Sequence, residues 1–312
     1  MGRAALQFCN LRWLSGLPGP RKTGKAPGME ALARVTVVTV TWRSAEVIRD
    51  FLTACPPGVR VVVVDNASPD RTAALARAAR PDATVLETSR NLGFGAGCNL
   101  GLSRVTTEFA LLTNPDARLS AETVAALVAA ADTWPEARLV APVLTDNAGG
   151  RVQSWNVAQP RRAALPRDRR GEPWPEGPFC AGYASGSCLL LRPAEGLRFD
   201  EAFFLFYEDD DLCARAGGVL VVPAAVVPHA GGRSSPPTLA TAWRKARCMA
   251  WSRLRYAALH GGGEAAARRD ATRRLLHHAG KATGHALTFR PRKVVTDLAG
   301  LAGTAAWLAG RR

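Results

Sequence analysis

Two short runs of mostly β-branched residues constrain the fold of this 312-residue chain most strongly. Residues 35–41 (VTVVTVT) and 60–65 (RVVVVD) are almost continuously apolar, and a helical pattern over residues 45–55 separates them. Strands of parallel sheets covered on both faces have this character, whereas half-exposed strands alternate apolar and polar residues. The two runs therefore predict neighbouring strands joined by a helical crossover.

The alternation of strands and helices continues along the chain. Further strands are predicted at residues 84–87, 108–113, 138–143, 188–192 and 219–222, and further helices at residues 71–80, 95–104, 121–133 and 209–216. This order predicts an α/β fold with a mixed, mainly parallel sheet flanked by helices. Ligands of such sheets bind at the carboxyl ends of strands, where Thr41-Trp42, Asp65-Asn66 and Asn114-Pro115-Asp116 fall.

The net charge of +15 is concentrated at the two ends of the chain. Residues 233–312 contain 16 Lys or Arg against 3 Asp or Glu, and residues 1–30 carry +4, which leaves −2 on residues 31–232. A nucleic-acid-binding protein would interleave basic residues with its folded motifs, so this distribution argues against that class. We expect a slightly acidic body with a basic, helical C-terminal extension.

Seven scattered cysteines without a C-x-x-C pair favour free thiols in a reducing compartment over disulfides or a zinc site. The N-terminal residues lack the continuous apolar core of a signal peptide, and no apolar stretch is long enough for a membrane-spanning helix. We therefore expect a cytoplasmic protein whose residues 1–30 form a flexible extension. Translation starts at Met1 or at Met29, which directly precedes the first predicted strand.

Four consecutive acids, residues 208–211, follow the aromatic block of residues 203–207. Crowding like charges costs free energy, so such a cluster is typical of a cation site, a proton-transfer site or both. Acids at the start of a helix also cap free N–H groups and favour the helix macrodipole. Capping accounts for one or two of the four acids.

Six segments occur in a recognisable order: VDNASPD, RNLGFGAGCNLGL, LLTNPDA, ASGSCLLLRP, FDEAFFLFYEDDDLCAR and HAGGRSS. Together they resemble the inverting family 2 glycosyltransferases, and within that family the rhamnosyltransferase-like branch. The resemblance implies the Rossmann-like GT-A fold and a metal-dependent transfer of L-rhamnose from dTDP-rhamnose to a polyprenyl-diphosphate-linked glycan of the cell envelope. A UDP-sugar hexosyl- or galactofuranosyltransferase is the alternative within the family. A non-catalytic glycan- or nucleic-acid-binding protein is the alternative from another class.

A nucleotide sugar offers a base, ribose hydroxyls and a diphosphate, so its site needs carboxylate acceptors and a means of neutralising phosphate. The resemblance assigns Asp65 to the base or ribose, and Thr41 and Trp42 end the neighbouring strand. A local turn with Asn66 and Ser68 is the alternative for Asp65.

The glycine-dense segment of residues 91–97 allows backbone N–H groups to approach a diphosphate at a helix start. We expect Asn91 and Gly95 to contact the donor, and Asn99 either to orient the donor or to lie on the helix surface. A tight turn is the alternative for the glycines. The segment is not a dinucleotide fingerprint, because Leu100 stands where that motif has its third glycine.

Asn114-Pro115-Asp116 stands where the resembling family has its D-x-D metal motif. Mg²⁺ and Mn²⁺ take oxygen ligands and often bind through one or two carboxylates plus substrate phosphates, so Asp116 can suffice, with Asn114 contacting the donor or a water. The family often places a second ligand at the position of His229. The alternatives are a proline turn with a capping acid and a surface histidine.

The resemblance assigns the base of the inverting transfer to Asp209 and a tuning role to Glu208. Asp211 is expected to cap or anchor its helix. The residues expected towards the acceptor are Ser185, Gly186, Ser187 and Asp211. Trp155 and Trp174 are candidates for sugar stacking, although burial is the commoner fate of tryptophan.

These patterns divide the chain into the extension of residues 1–30, a catalytic domain of residues 31–237 and a basic amphipathic tail of residues 238–312. Within the catalytic domain we expect a nucleotide-sugar half up to residue 117 and an acceptor half from residue 118. A basic helix that carries tryptophan is typical of a segment lying on anionic lipid, here the inner face of the plasma membrane. A solvated helix packed on the core is the alternative.

Overall fold

The computed structural model describes residues 28–146, 148–150, 152, 154–156, 176–229 and 238–311. The predicted extension up to residue 27, the segment GGRSS after His229 and Trp174 lie outside the described residues. The chain forms two compact units. Within the described residues, the first unit contains 28–92, the part between 97 and 199, and 212–229, and the second contains 93–96, 200–211 and 238–311.

The first unit is built on a mixed, mainly parallel sheet. Its strands and those of a small two-stranded sheet are β1 (Val35–Thr41), β2 (Arg60–Asp65), β3 (Thr84–Glu87), β4 (Phe109–Thr113), β5 (Leu139–Thr145), β6 (Trp155–Asn156), β7 (Phe179–Ala181), β8 (Tyr183–Ala184), β9 (Cys188–Leu191) and β10 (Val219–Pro228). The described strands of the large sheet have the order β3-β2-β1-β4-β9-β5-β10-β7, and β6 pairs with β8. The predicted α/β class is confirmed.

Strand directions bring the predicted polar residues to one edge of this sheet. Strand β1 is parallel to β2 and β4, with Thr41 paired with Asp65 and Thr39 with Thr113. Strand β9 runs antiparallel between β4 and β5, and β10 is parallel to β5. Because the carboxyl ends of parallel neighbours meet, Thr41, Asp65 and the turn after Thr113 share an edge.

Within the described residues, six α-helices begin before the C-terminal region, and three make up most of that region. They are α1 (Gly28–Ala33), α2 (Ile48–Ala54), α3 (Thr72–Ala79), α4 (Phe94–Leu102), α5 (Ala121–Thr133), α6 (Glu208–Ala216), α7 (Leu239–His260), α8 (Gly263–Leu287) and α9 (Pro291–Leu308). Helix α5 has the predicted bounds because Ser120 caps it, its Oγ accepting from the N–H of Thr123. Strand β10 is longer than predicted, since it resumes pairing with β5 after an irregularity between Val222 and Val226.

Two glycines of α4, Gly97 and Gly101, have a packing role in the first unit. A Cβ at Gly97 would lie 2.7 Å from Val40 Cγ1, and one at Gly101 would lie 2.3 Å from Val38 Cγ1. Both valines belong to β1. The spacing of four residues therefore lets one face of α4 lie directly on the central strand.

In the second unit, α9 packs against α7 and α8. A Cβ at Gly303 of α9 would lie 2.2 Å from the carbonyl oxygen of Arg247 in α7, so glycine permits close backbone approach there. Thr238 caps α7 by accepting from the N–H of Thr241 at 3.1 Å. Within the described part of the chain, none of the helices combines the length and apolar character needed to cross a membrane.

Candidate active site

Asp65 ends β2 as a buried carboxylate at the carboxyl edge of the sheet. Its Oδ1 accepts hydrogen bonds from the hydroxyl groups of Thr41, at 3.1 Å, and of Ser68. Ala67 adopts the left-handed conformation with φ of 58°, which turns the chain back so that Ser68 reaches Asp65. The local turn considered for Asp65 is thus formed, and it holds the carboxylate at the strand end.

Asn66, which the sequence analysis placed at the strand end without a binding role, fixes the neighbouring segment. Its buried amide donates to Asn91 Oδ1 at 3.1 Å and accepts from the N–H of Leu92 at 2.9 Å. Asn91, a predicted donor-binding residue, is therefore tied to the end of β2. The available signal was the position of Asn66 directly after a buried strand, where an amide can serve two backbone segments.

Trp42, the other predicted residue at this edge, is half-buried. The guanidinium of Arg43 lies over its ring, 4.8 Å from the centroid, and Arg43 has a positive φ of 55°. This is the geometry of a cation–π contact at the end of β1.

Asp116 and His229 come together although 112 residues lie between them in the sequence. His229 Nε2 lies 3.1 Å from Asp116 Oδ1, and both side chains are largely buried. Asp116 Oδ1 nevertheless accepts no hydrogen bond from a described residue. The two atoms are therefore close to each other without being hydrogen-bonded. Asn114 Nδ2 lies 3.3 Å from the same nitrogen, and for the amide to donate there Nε2 must be unprotonated.

A buried carboxylate oxygen without a hydrogen bond and an imidazole nitrogen at this distance are two ligand atoms that one cation can share. Two ligands at right angles around Mg²⁺, each about 2.1 Å from the ion, are about 3.0 Å apart. The donor set therefore fits one divalent ion with two protein ligands. No group of three or more His, Cys, Asp or Glu within the described ranges could hold a metal alone, so substrate oxygens or waters would complete the shell.

Backbone hydrogen bonds position the two ligands. The N–H of His229 donates to the carbonyl of Thr145 at 2.7 Å, and the N–H of Arg118 donates to the carbonyl of Pro228 at 2.9 Å. Ala117 and His229 form an isolated antiparallel bridge. The end of β10 is thereby joined to the turn after β4.

The serine turn before β9 packs against the same turn. The N–H of Asn114 donates to the carbonyl of Ser187 at 3.1 Å, and Asn114 Nδ2 donates to Ser187 Oγ at 3.2 Å. Ser185 Oγ lies 2.9 Å from Ser187 Oγ, with the buried Gly186 between them. Ser185, Gly186 and Ser187, three of the four residues predicted towards the acceptor, thus lie beside the turn that carries Asn114. The fourth, Asp211, belongs to the second unit.

In the second unit, the four acids form the first turn of α6. Glu208, Asp210 and Asp211 are buried, whereas Asp209 is half-exposed. Burial, followed by the negative charge of Asp209, raises the pKa of Glu208 well above its ordinary value. Asp209 is therefore the acid of this turn with the greatest access to a substrate.

The backbone before the acids is strained. Phe206 and Tyr207 have positive φ values of 72° and 65°, a conformation that costs bulky residues free energy and recurs at functional sites. Tyr207 packs with Phe203 and Tyr256 in a buried aromatic cluster. Packing of these rings offsets the free-energy cost of the strained backbone that precedes the buried Glu208.

The remaining predicted residues have structural contacts. Gly93 has a φ of 93°, and a Cβ there would lie 2.4 Å from the carbonyl oxygen of Phe204, which accepts from the N–H of Phe94. Gly95 lies in the first turn of α4. Asn99 is hydrogen-bonded to both backbone groups of Phe199, at 3.0 and 2.9 Å. Trp155 makes an edge contact with Phe179.

Similarity to known proteins agrees with this geometry. Residues 36–190 match the family described as Glycosyl transferase family 2. The chain belongs to this family. It is a nucleotide-sugar-dependent glycosyltransferase, as the sequence analysis predicted.

Among curated relatives, this glycosyltransferase is similar to an N-acetylglucosaminyl-diphospho-decaprenol L-rhamnosyltransferase of Mycobacterium tuberculosis. The two chains are 28% identical over 236 residues, which are 62% of this chain and 75% of the relative. The rhamnosyltransferase-like resemblance found in the sequence is confirmed by this relative.

Two solved structures share the fold. The mannosyltransferase PcManGT from Pyrobaculum calidifontis, in complex with GDP-Man and Mn²⁺, has a TM-score of 0.54 and 20% identity, and the match covers 99% of this chain and 93% of that one. Residues 1–349 of TarS from S. aureus have a TM-score of 0.51 and 14% identity, with 89% and 92% covered. The predicted GT-A fold is confirmed.

Proposed function

We propose that this glycosyltransferase moves L-rhamnose from dTDP-rhamnose to a polyprenyl-diphosphate-linked glycan, with inversion at the anomeric carbon. The observation that supports this donor and acceptor most directly is the similarity to the mycobacterial rhamnosyltransferase, whose name specifies L-rhamnose and a diphospho-decaprenol acceptor. The basic C-terminal helices suit an acceptor that is anionic and embedded in a membrane at the cytoplasmic face.

In this proposal, residues at the carboxyl edge of the first unit bind the donor. Asp65, held by Thr41 and Ser68, accepts from the base or ribose, and Asn91 contacts the donor from the segment fixed by Asn66. Trp42 offers an apolar face beside them. The hydrogen-bonded carboxylate needs no reorganisation to accept the nucleoside, which lowers the entropy cost of binding.

Asp116 and His229 hold Mg²⁺ or Mn²⁺ in the same proposal. Support comes from the 3.1 Å separation of their ligand atoms and from Asp116 Oδ1, which is buried without a hydrogen bond. A bound divalent ion would neutralise the diphosphate leaving group. Asn114 orients His229 and Ser187 around this position through its amide.

Asp209 acts as the general base. The acceptor hydroxyl oxygen forms a bond to the anomeric carbon, the bond from that carbon to the diphosphate oxygen breaks, and the hydroxyl proton passes to the Asp209 carboxylate. The half-exposure of Asp209 among three buried acids supports this assignment. Burial and the negative charge of Asp209 raise the pKa of Glu208, which favours the neutral form of Glu208 beside Asp209.

The proposal is tested with a panel of dTDP- and UDP-sugars, Mg²⁺ or Mn²⁺, and a short-chain polyprenyl-diphosphate GlcNAc acceptor. We expect dTDP-rhamnose to give product and Asp209→Asn to reduce transfer at least about 100-fold while dTDP still raises the melting temperature. If only a UDP-hexose gave product, dTDP-rhamnose would be rejected as the donor. Near-normal transfer by Asp209→Asn would reject the proposed base.

The metal assignment is tested separately by dTDP binding. Asp116→Asn should abolish the Mn²⁺-dependent part of the thermal shift with dTDP, whereas the exposed Asp82→Asn should not change it. If the thermal shift of Asp116→Asn with dTDP still depended on Mn²⁺ as in wild type, Asp116 would not be a metal ligand.

A further inference from the structure

The connection between α8 and α9 exposes two large apolar side chains at its tip. Leu287, the last residue of α8, is 76% exposed, and Phe289 is 92% exposed. Leaving such side chains in water forgoes the free energy of burying them. An apolar tip of this kind indicates a surface that is covered in the working protein.

The connection is a tight, hydrogen-bonded turn. The N–H groups of Thr288, Phe289 and Arg290 donate to the carbonyls of Gly284, Ala286 and His285 at 3.2, 3.1 and 2.9 Å. Phe289 has a positive φ of 50°, and Pro291 begins α9. A strained backbone therefore holds the phenyl ring outwards, where it is 92% exposed.

Cations surround this tip without acids nearby in the sequence. Lys281, Arg290, Arg292 and Lys293 are exposed, and the described residues provide none of them with an ion-pair partner within 4 Å. No Asp or Glu occurs between residues 271 and 296. The next acid, Asp297, is buried and lies 2.7 Å from His285 Nδ1.

We propose that this tip, Leu287 and Phe289 with Lys281, Arg290, Arg292 and Lys293, docks onto the surface of an anionic phospholipid bilayer. The two apolar side chains enter the boundary between headgroups and acyl chains, and the four cations contact lipid phosphates. Charge complementarity selects this partner. A nucleic acid would use the cations but leave Leu287 and Phe289 in water, and a second copy would bring four like charges together.

The inference deepens the proposed function by naming the part of the chain that reaches the membrane of the acceptor. The proposed function explains why the protein would dock onto a membrane, but docking itself does not depend on that function. Vesicles without donor or acceptor test docking alone, and transfer to a short-chain acceptor in solution tests catalysis alone, so the two failures are distinguishable.

The experiment measures co-sedimentation of the full chain with phosphatidylcholine vesicles, with or without about a third phosphatidylglycerol. We expect binding only to the anionic vesicles. Leu287→Ser with Phe289→Ser should weaken it about tenfold or more, because one buried large apolar side chain contributes enough free energy for that factor. Arg292→Ala with Lys293→Ala should weaken it by more than tenfold at low salt.

Leu276→Ser is the matched control, because Leu276 is an apolar residue of α8 that is 74% exposed and lies about three turns before the tip, and its replacement should leave vesicle binding unchanged. Phe289→Trp adds a direct readout, since its fluorescence should shift to the blue on anionic vesicles.

Equal binding of wild type to neutral and anionic vesicles would overturn the proposal, as would unchanged binding of the double serine variant. The proposal would also be overturned if the protein bound RNA rather than vesicles and the double serine variant bound RNA equally well. A dimer in solution that dissociates in the double serine variant would overturn it too.

Discussion

His260 Nε2 lies 2.8 Å from Asp211 Oδ1, which joins the C-terminal end of α7 to the first turn of α6 within the second unit. Asp211 is buried, and the ring of Tyr256, one turn before His260, lies 4.7 Å from the imidazole. The predicted anchoring role of Asp211 therefore has a partner that the sequence did not reveal. Through it, a C-terminal helix orients the acids that include the proposed base.

Loss of His260 should destabilise the fold and reduce transfer. His260→Ala removes a hydrogen bond from a buried carboxylate, which costs about 1–3 kcal/mol in the free energy of unfolding. His260→Gln, whose amide can still donate, should recover part of the loss. Urea unfolding and initial transfer rates measure both, with the exposed His277→Ala as control. Equal stability of wild type and His260→Ala would show that the contact contributes nothing.

Glu208 should make stability fall as pH rises. Its pKa is raised in the folded state by burial and by Asp209, so above its ordinary pKa the unfolded chain releases this proton first. The native state then binds more protons than the unfolded state, and stability declines until the pH passes the raised value. Glu208→Gln should be more stable than wild type near pH 8, with the difference vanishing near about pH 4.

Melting temperatures across that pH range, measured by circular dichroism, test this expectation. Exposed Glu264→Gln, in α8, serves as the control for loss of one carboxylate. A wild-type advantage over Glu208→Gln that grows with pH would contradict the sign of the effect.

Gly101 should not tolerate alanine. A Cβ there would lie 2.3 Å from Val38 Cγ1, and forcing α4 away from β1 costs about 1–3 kcal/mol. Gly280 in α8 has open space at its Cβ, so Gly280→Ala should stabilise by about 0.5–1 kcal/mol. Chemical unfolding of the two variants compares them directly. Stabilisation by Gly101→Ala would mean that α4 does not lie as close to the sheet.

Cys55 and Cys188 should resist alkylation in the native protein. Burial raises the pKa of each thiol to about 12, so at pH 8 the reactive thiolate is scarce and inaccessible. Iodoacetamide labelling followed by peptide mass spectrometry should modify the partly exposed Cys180 first. In urea all three should react at similar rates. Rapid native labelling of Cys188 would place it at the surface instead.

Local sequence preferences located each described strand of the large sheet except β7. Strands β1 and β2 have the predicted bounds because their β-branched residues suit only a strand buried on both faces. Helix α2 spans Ile48–Ala54 and is therefore shorter than the predicted residues 45–55. The six cysteines in the described part of the chain form no disulfide with one another.

The contacts that relate distant segments were beyond local patterns. The sequence did not distinguish Asn66 from any other turn amide. Its contact with Asn91 requires the end of β2 to lie beside the segment after β3. The division into units also groups residues 200–211 with the C-terminal helices, whereas the sequence analysis counted them with the catalytic domain.

The sequence by itself determined the α/β class, the family and the identity of the acids and the histidine proposed for chemistry, because strand patterns and motif order are local properties of the chain. Only the tertiary structure decided which of them meet. The 3.1 Å approach of Asp116 and His229, the pairing of Asp211 with His260 and the exposure of Asp209 among buried neighbours all depend on packing between remote segments. Burial and distance set the energies of charged groups, and neither is encoded at the level of a motif.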